Sequence, residues 1–267
     1  MRAILLTSTH RRHAWVASAL ARRLDLVGVW QEEKSFVPER YAGSDDDLDV
    51  IRRHFEERDA SEHHHFGSTS DPVLAAGATL CRVPPGGCNE QAEVERMLAL
   101  RPDVGLVFGT GILKDPVIGA FRGRLLNIHL GLSPYYRGAG TNFWPLVNRE
   151  PEYVGATIHY IDAGIDTGPI VAHVRPDVTP ADGPHDLGNR TIIAAAKALA
   201  DAAAFHVAGV LQGVPQEGEG RTYYRKHFNA EAVRTLHHNF RTGMIAEYLS
   251  DRPRRDAALR LVSLPTS

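Results

Sequence analysis

Apolar residues gather in short runs along the chain, and helical spacing returns between the runs. Ala3 to Leu6 reads as a buried strand; Val16, Leu20 and Leu24 then recur at four-residue intervals within Ala14 to Leu24, and Leu26 to Trp30 reads as strand again. Strand, helix and strand in succession predict a βαβ unit, hence a parallel sheet with a right-handed crossover. Helical periodicity resumes over Gln91 to Leu100, Asp103 to Phe108 makes a third clear strand, and Leu125 to His129 a fourth. Beyond it the pattern predicts a helix from about Thr141 through Val147 and strands over Val154 to Ile161 and Ile170 to Val174. An alanine-rich helix then covers Leu187 to Leu211.

The expected fold is α/β: a Rossmann-like, open, mostly parallel sheet with helices on both faces. Residues 1–215 would form this unit, and 216–267, basic, aromatic and helical in pattern after Gly220, a short C-terminal helical extension. Residues 31–72 interrupt the alternation. Their charged start suggests a helix, and SEHHHFGSTSD an exposed loop. The run His63, His64, His65 raises a metal site, but a histidine run in a polar segment is more often solvated loop. No internal repeat and no low-complexity stretch is visible.

Composition narrows the function classes. The 267 residues are 43% apolar and 23% charged with net charge −2, so no basic field recommends a nucleic-acid partner. Cys81 and Cys88 alone make neither a disulfide framework nor a zinc site. The N-terminal apolar run is too short for a signal peptide, and no stretch approaches membrane-spanning length. A cytoplasmic protein without a membrane partner is the expectation.

Two clusters carry candidate chemistry. In LLNIHLGLSPYYRGAGTN, Asn127 and His129 stand at i and i+2 of a strand and project to one face, with Ile128 on the other. They lie where a parallel sheet gathers its chemistry, at a carboxyl edge. An amide beside an imidazole joins an oxyanion donor to a group that titrates near neutrality, although both could simply satisfy the backbone of the next loop. In GATIHYIDAGIDTGPIV, residues 155–171, a strand ends in a loop of glycines and aspartates. One aspartate could orient a histidine from a neighbouring strand, or the pair could be plain Asx turns.

Together, NIHLGLSPYYRG and GATIHYIDAGIDTGPI resemble the signature of the folate-dependent formyltransferases, from about Val104 to Val174 and more weakly from the start of the chain to the alanine-rich helix. The resemblance implies that Asn127, His129 and Asp166 are the catalytic trio, Asp166 because it directly precedes the Thr-Gly pair. It implies folate contacts from Ile112 and Leu113 after the preceding strand and from the loop Asp162, Ala163, Gly164, with His159 in a supporting place. Arg137 and Gly138 fall on the family's Arg-Gly position, and with Tyr135 they form the expected substrate side, where Arg137 could clamp a phosphate or carboxylate. For Trp144 core packing is as good a reading. The 219–240 segment could close over the acceptor or make a subunit contact.

Departures from the family pattern select among its branches. Gly131 stands where the family often has serine, and Thr7-Ser8-Thr9-His10-Arg11-Arg12 replaces the phosphate-cradling Gly-Ser-Gly loop of the purine enzyme. No residues before Arg2 remain for the hydrolases' extra domain, and the short stretch after Gly218 reads as helical, not as the larger β-rich domain that the tRNA enzyme appends. The resemblance therefore implies an N-formyltransferase, with 10-formyltetrahydrofolate as co-substrate and no metal. The expected acceptor is the amine of a small molecule, an amino sugar by preference and nucleotide-linked by extension. The alternatives are a formyltetrahydrofolate hydrolase and a non-catalytic folate-binding protein; a homodimer is left open.

Overall fold

Period-two alternation in the strands divides the apolar side chains between the two faces of one sheet. The structure, a computed structural model, describes every residue except Ser35, Phe36, Ile165 and Ser267, so Ile165 of the Gly-Ile-Asp-Thr-Gly stretch lies outside the described residues. The chain opens with β1 (Arg2–Ser8), α1 (Arg11–Ala21) and β2 (Asp25–Glu32), then α2 (Asp45–Phe66), β3 (Thr79–Val83), α3 (Gln91–Ala99) and β4 (Val104–Phe108). Next come α4 (Asp115–Phe121), β5 (Leu125–His129), β6 (Tyr136–Gly138), α5 (Trp144–Val147), β7 (Ala156–Tyr160), β8 (Ile170–Val174) and α6 (Asp186–Val207). β9 (Arg221–Tyr223), α7 (Ala230–Arg241), α8 (Met244–Ser250) and α9 (Arg252–Asp256) complete the order.

The main sheet has seven strands in the order β3-β2-β1-β4-β5-β7-β8. The first five in that order pair in parallel, while β7 is antiparallel to both β5 and β8. The chain walks outward from β1 to β3 and then crosses back to β4, so a switch point lies between β1 and β4. Ala3, Leu5, Leu106, Leu126 and Ile128 pack with α1 and α6 on one face; Ile4, Leu6, Val107 and Leu125 pack with α3 and α4 on the other. A third apolar cluster, Leu146, Val154, Leu187, Leu236, Met244 and Ile245, ties α7 and α8 to α5 and α6.

The expected strands and the alanine-rich helix are present, the latter ending earlier, at Val207, with Gly209 in a left-handed conformation just beyond it. Other expectations are corrected. The strand expected as third is the fourth, because β3 precedes it; as an edge strand with an exposed Arg82 it carries little apolar signal. The histidine run is not a loop but the last turns of α2. Ser44 caps that helix, three aspartates occupy its first turn, and Phe66 packs 5.5 Å from Trp15. The helix expected from Thr141 begins at Trp144, and α4, short and opened by a proline, is an element the pattern did not announce. Beyond residue 216 the chain forms β9, which pairs with β6, and then α7, α8 and α9, while the described residues after Asp256 form neither helix nor strand.

Candidate active site

Antiparallel pairing of β5 with β7 sets Asn127 opposite His159 and His129 opposite Thr157. Asn127, His129 and His159 therefore share one sheet face at the carboxyl edge of β5. His159 Nδ1 lies 2.8 Å from the Tyr160 carbonyl and donates to it, which leaves Nε2 to accept from the Asn127 amide at 2.9 Å. The second N–H of that amide has no partner among the described residues.

The loop between β7 and β8 brings in the acid. Asp162 Oδ1 accepts from the Gly164 backbone N–H (3.0 Å) and the Thr167 hydroxyl (2.8 Å), which folds the loop back on itself. Gly168 is needed because a Cβ there would stand 1.8 Å from the Tyr160 carbonyl oxygen. Asp166 sits between, in the left-handed region at φ 54°, a conformation that non-glycine residues adopt only where the surroundings enforce it. Its Oδ2 is 3.2 Å from His129 Nδ1, and its Oδ1 3.7 Å from His159 Nε2. Burial opposes ionisation of Asp166, but the hydrogen bond to His129 outweighs it and holds the carboxyl well below the usual carboxylate range.

The loop after β5 is fastened from both sides. Thr157 Oγ1 donates to the Gly131 carbonyl (2.6 Å) and accepts from the Ser133 N–H (2.9 Å), while His173 Nε2 lies 2.8 Å from the Ser133 carbonyl. This leaves the Tyr136 carbonyl 3.3 Å from His129 Nε2. At Gly131, φ 156°, a Cβ would lie 2.5 Å from Thr141 Cβ and 2.8 Å from His129 Nε2. The glycine that departs from the family's serine thus has a steric reason in this chain.

The structure brings Asn127, His129 and Asp166 together. Ile112, 67% exposed, and the half-buried Leu113 follow β4, the parallel neighbour of β5; Asp162, Ala163 and Gly164 are exposed in the Asp166 loop. Tyr135 lines a separate cleft of about 340 Å³ with Tyr136, Tyr153, Glu150 and Arg221, and its phenol accepts from the Arg260 N–H at 2.8 Å. Arg137 Nη2 donates to Gln216 Oε1 at 3.3 Å, and its buried Nε has no hydrogen-bond partner among the described residues. Gly138 serves backbone packing: a Cβ there would lie 2.2 Å from the Tyr223 carbonyl oxygen of β9. His159, which the resemblance gives only a supporting place, stands beside the trio; Thr157 and Gln216 carry no local sequence signal, because their partners meet them only across the fold. His65 pairs with Asp186 at 3.1 Å, and among the described residues no group of His, Cys, Asp and Glu is arranged to hold a metal ion. No described helix is long and apolar enough to cross a membrane.

A family model described as formyl transferase matches residues 56–203, more than half of the chain. The chain belongs to the formyl transferase family. The match runs from within α2 to within α6 and so includes all three residues of the trio. A methionyl-tRNA formyltransferase of Aromatoleum aromaticum is 33% identical over 150 residues, 56% of this chain and 47% of that relative. The chain spans about half the length of the curated relatives it matches. Two solved structures share the fold. One is glycinamide ribonucleotide transformylase 1 of Symbiobacterium toebii (21% identity, TM-score 0.55, covering 82% of this chain and 92% of that one). The other is the sugar 3N-formyl transferase WlaRD (16% identity, TM-score 0.53, covering 86% and 72%).

Proposed function

We propose that this member of the formyl transferase family moves a formyl group from 10-formyltetrahydrofolate to the primary amine of a small molecule, an amino sugar by preference and in nucleotide-linked form. The observation that carries the reading is the convergence of Asp166 Oδ2 on His129 Nδ1 at 3.2 Å, with Asn127 two residues away on the same strand face. In this reading residues 1–215 carry the chemistry, and 216–267 brace the acceptor side.

The donor supplies an activated formyl carbon. Exposed Ile112 and the backbone of Asp162, Ala163 and Gly164 fit its flat ring, offering apolar surface on one side and peptide groups on the other. The amine nitrogen bonds to the formyl carbon, and negative charge grows on the formyl oxygen. The spare N–H of Asn127 donates to that oxygen; a donor of this kind is worth about 3 kcal/mol of barrier. His129, oriented through Nδ1 by Asp166, uses Nε2 to bond the same oxygen when protonated and to move the proton that the amine must lose to the departing donor nitrogen. Asp166, ionised throughout, stabilises the positive imidazole. Holding both substrates in register contributes several further kcal/mol. Arg137, whose Nε has no partner among the described residues, stands on the acceptor side, where an anionic group would meet the guanidinium; Gly138 lets the backbone beside it lie against β9, and Tyr135 lines its own cleft.

The net charge of −2 favours a small acceptor over a polyanion. A fold neighbour that is a sugar 3N-formyl transferase, seen in the presence of dTDP and 5-N-formyl-THF, supports the same choice. A second reading, formylation of methionyl-tRNA, is favoured by the 33% identity to a methionyl-tRNA formyltransferase.

Incubation with 10-formyltetrahydrofolate and separate arms of nucleotide-linked amino sugars, other small amines and methionyl-tRNA, read by mass spectrometry, tests the proposal. A gain of one formyl group on a small amine is expected. Transfer to the tRNA alone selects the second reading, formate without any amine means hydrolysis, and unchanged donor in every arm ends the proposal. Asn127→Ala, His129→Ala and Asp166→Asn should each lower kcat by about 10²- to 10⁴-fold while donor binding stays within a few-fold.

A further inference from the structure

Beyond α6, outside the stretch that matches the family model, the chain runs extended beside the start of β8. Val214 and Ile170 exchange both backbone hydrogen bonds, at 2.7 and 2.8 Å, and this antiparallel register sets Gln216 opposite Gly168. Gly213 allows so close an approach, since a Cβ there would lie 2.7 Å from Pro169.

Every polar atom of the Gln216 side chain is used. Its Nε2 donates to the carbonyls of Asp166 (2.7 Å) and Gly168 (2.9 Å), and its Oε1 accepts from Arg137 Nη2 at 3.3 Å. Both N–H groups of one amide therefore grip the main chain on either side of Thr167, next to a residue held in a left-handed conformation. The third bond ties that grip to Arg137 of β6, the residue next to Tyr136, whose carbonyl lies 3.3 Å from His129 Nε2.

We infer that Gln216 is a positioning residue for the formyl-transfer site: it holds the Asp166 turn in register with β6, so that the carboxylate stays within hydrogen-bond reach of His129 Nδ1. The inference rests on the proposed function for its catalytic consequence, but its geometric content stands apart from turnover. A loop staple with no part in the site would affect stability alone. A positioning residue acts on the His129–Asp166 bond, and so on the chemical step more than on ligand binding.

The test compares Gln216→Met, which keeps length and loses all three hydrogen bonds, with Gln216→Glu, which keeps an acceptor toward Arg137 and loses both donors. Each should lower kcat by about 10- to 100-fold, the scale of a misplacement near 1 Å, with KM for donor and acceptor little changed. In proton NMR of the 15N-histidine-labelled protein, the low-field Nδ1–H signal of His129, assigned by its loss in Asp166→Asn, should weaken or vanish in both variants. An unchanged kcat, or a rise in both KM values at constant kcat, overturns the inference. If Gln216→Met fails to fold, Gln216→Glu carries the same comparison. If the wild-type protein transfers no formyl group at all, the proposed function fails and the histidine signal alone decides the positioning role: its persistence in the variants overturns it.

Discussion

His159 links Asn127 to Asp166 without belonging to the trio. Its Nε2 accepts from the Asn127 amide at 2.9 Å and stands 3.7 Å from the carboxylate. Replacing it by phenylalanine keeps a ring of similar breadth but frees the amide to rotate. Steady-state kinetics of His159→Phe should show kcat reduced about 10-fold, less than for His129→Ala, because the oxyanion donor proposed at Asn127 is loosened rather than removed. A loss as deep as that of His129→Ala would mean that His159 itself handles a proton. The depressed carboxyl of Asp166 sets the sign of its pH dependence. Its pairing stabilises the fold fully above the ordinary carboxylate range, and that contribution is lost only as pH falls through the lowered folded value. At this scale Asn127 and His129 were legible, since spacing i, i+2 on a strand needs no tertiary knowledge. His159 was not, because its pairing with Asn127 is a register between strands 32 positions apart in the chain.

Elements were legible in proportion to how strongly their own residues demanded them. β1, β4, β5 and the alanine-rich α6 carry dense apolar runs and were expected, whereas β3 and α4 are short and half-exposed and depend on neighbours for their shape. α2 is the instructive case. Its charged start suggests a helix and its histidine-rich end a loop, yet a serine cap, an acidic first turn and buried contacts at Ile51, His54 and Phe66 carry one helix through all 22 residues. Capping also governs α7, where the Asn229 side chain accepts from the Ala232 N–H at 2.9 Å. Asn229→Ala should cost about 1 kcal/mol by urea denaturation. Hydrogen exchange should speed up first in the opening turn of α7 rather than across the sheet, and uniform acceleration would refute a local effect.

For the whole molecule, the joint between the sheet and the later helices is built on histidines. His54 of α2 packs 4.6 Å from His185, at the start of α6, and 5.8 Å from His237 of α7, with Phe143 and Phe228 against it. Burial, then the neighbouring His185, His237 and Arg58, lower the His54 pKa from 6.5 to about 2. Burial, with Arg58 and His237, lowers that of His185 to about 4. Both rings are therefore neutral in the fold over a range where the unfolded chain takes up protons. Their contribution is present above the unfolded value and drains away as pH falls from about 6.5, toward about 4 for His185 and on toward about 2 for His54. Urea midpoints measured at steps across that window should fall, and His54→Phe should flatten the slope; an equal slope in the variant would place the acid sensitivity elsewhere.

The sequence by itself determined the layered α/β plan, the two-faced strands and the placement of Asn127 and His129 on one face of a strand end. Each of these follows from side-chain periodicity within a few residues. Only the tertiary structure decided that Asp166 reaches His129, that His159 stands beside them, and that Gln216, far along the chain, grips the acid's turn. Those contacts are closed by strand registers between distant segments, and a register is set by the packing of the whole sheet rather than by any stretch within it.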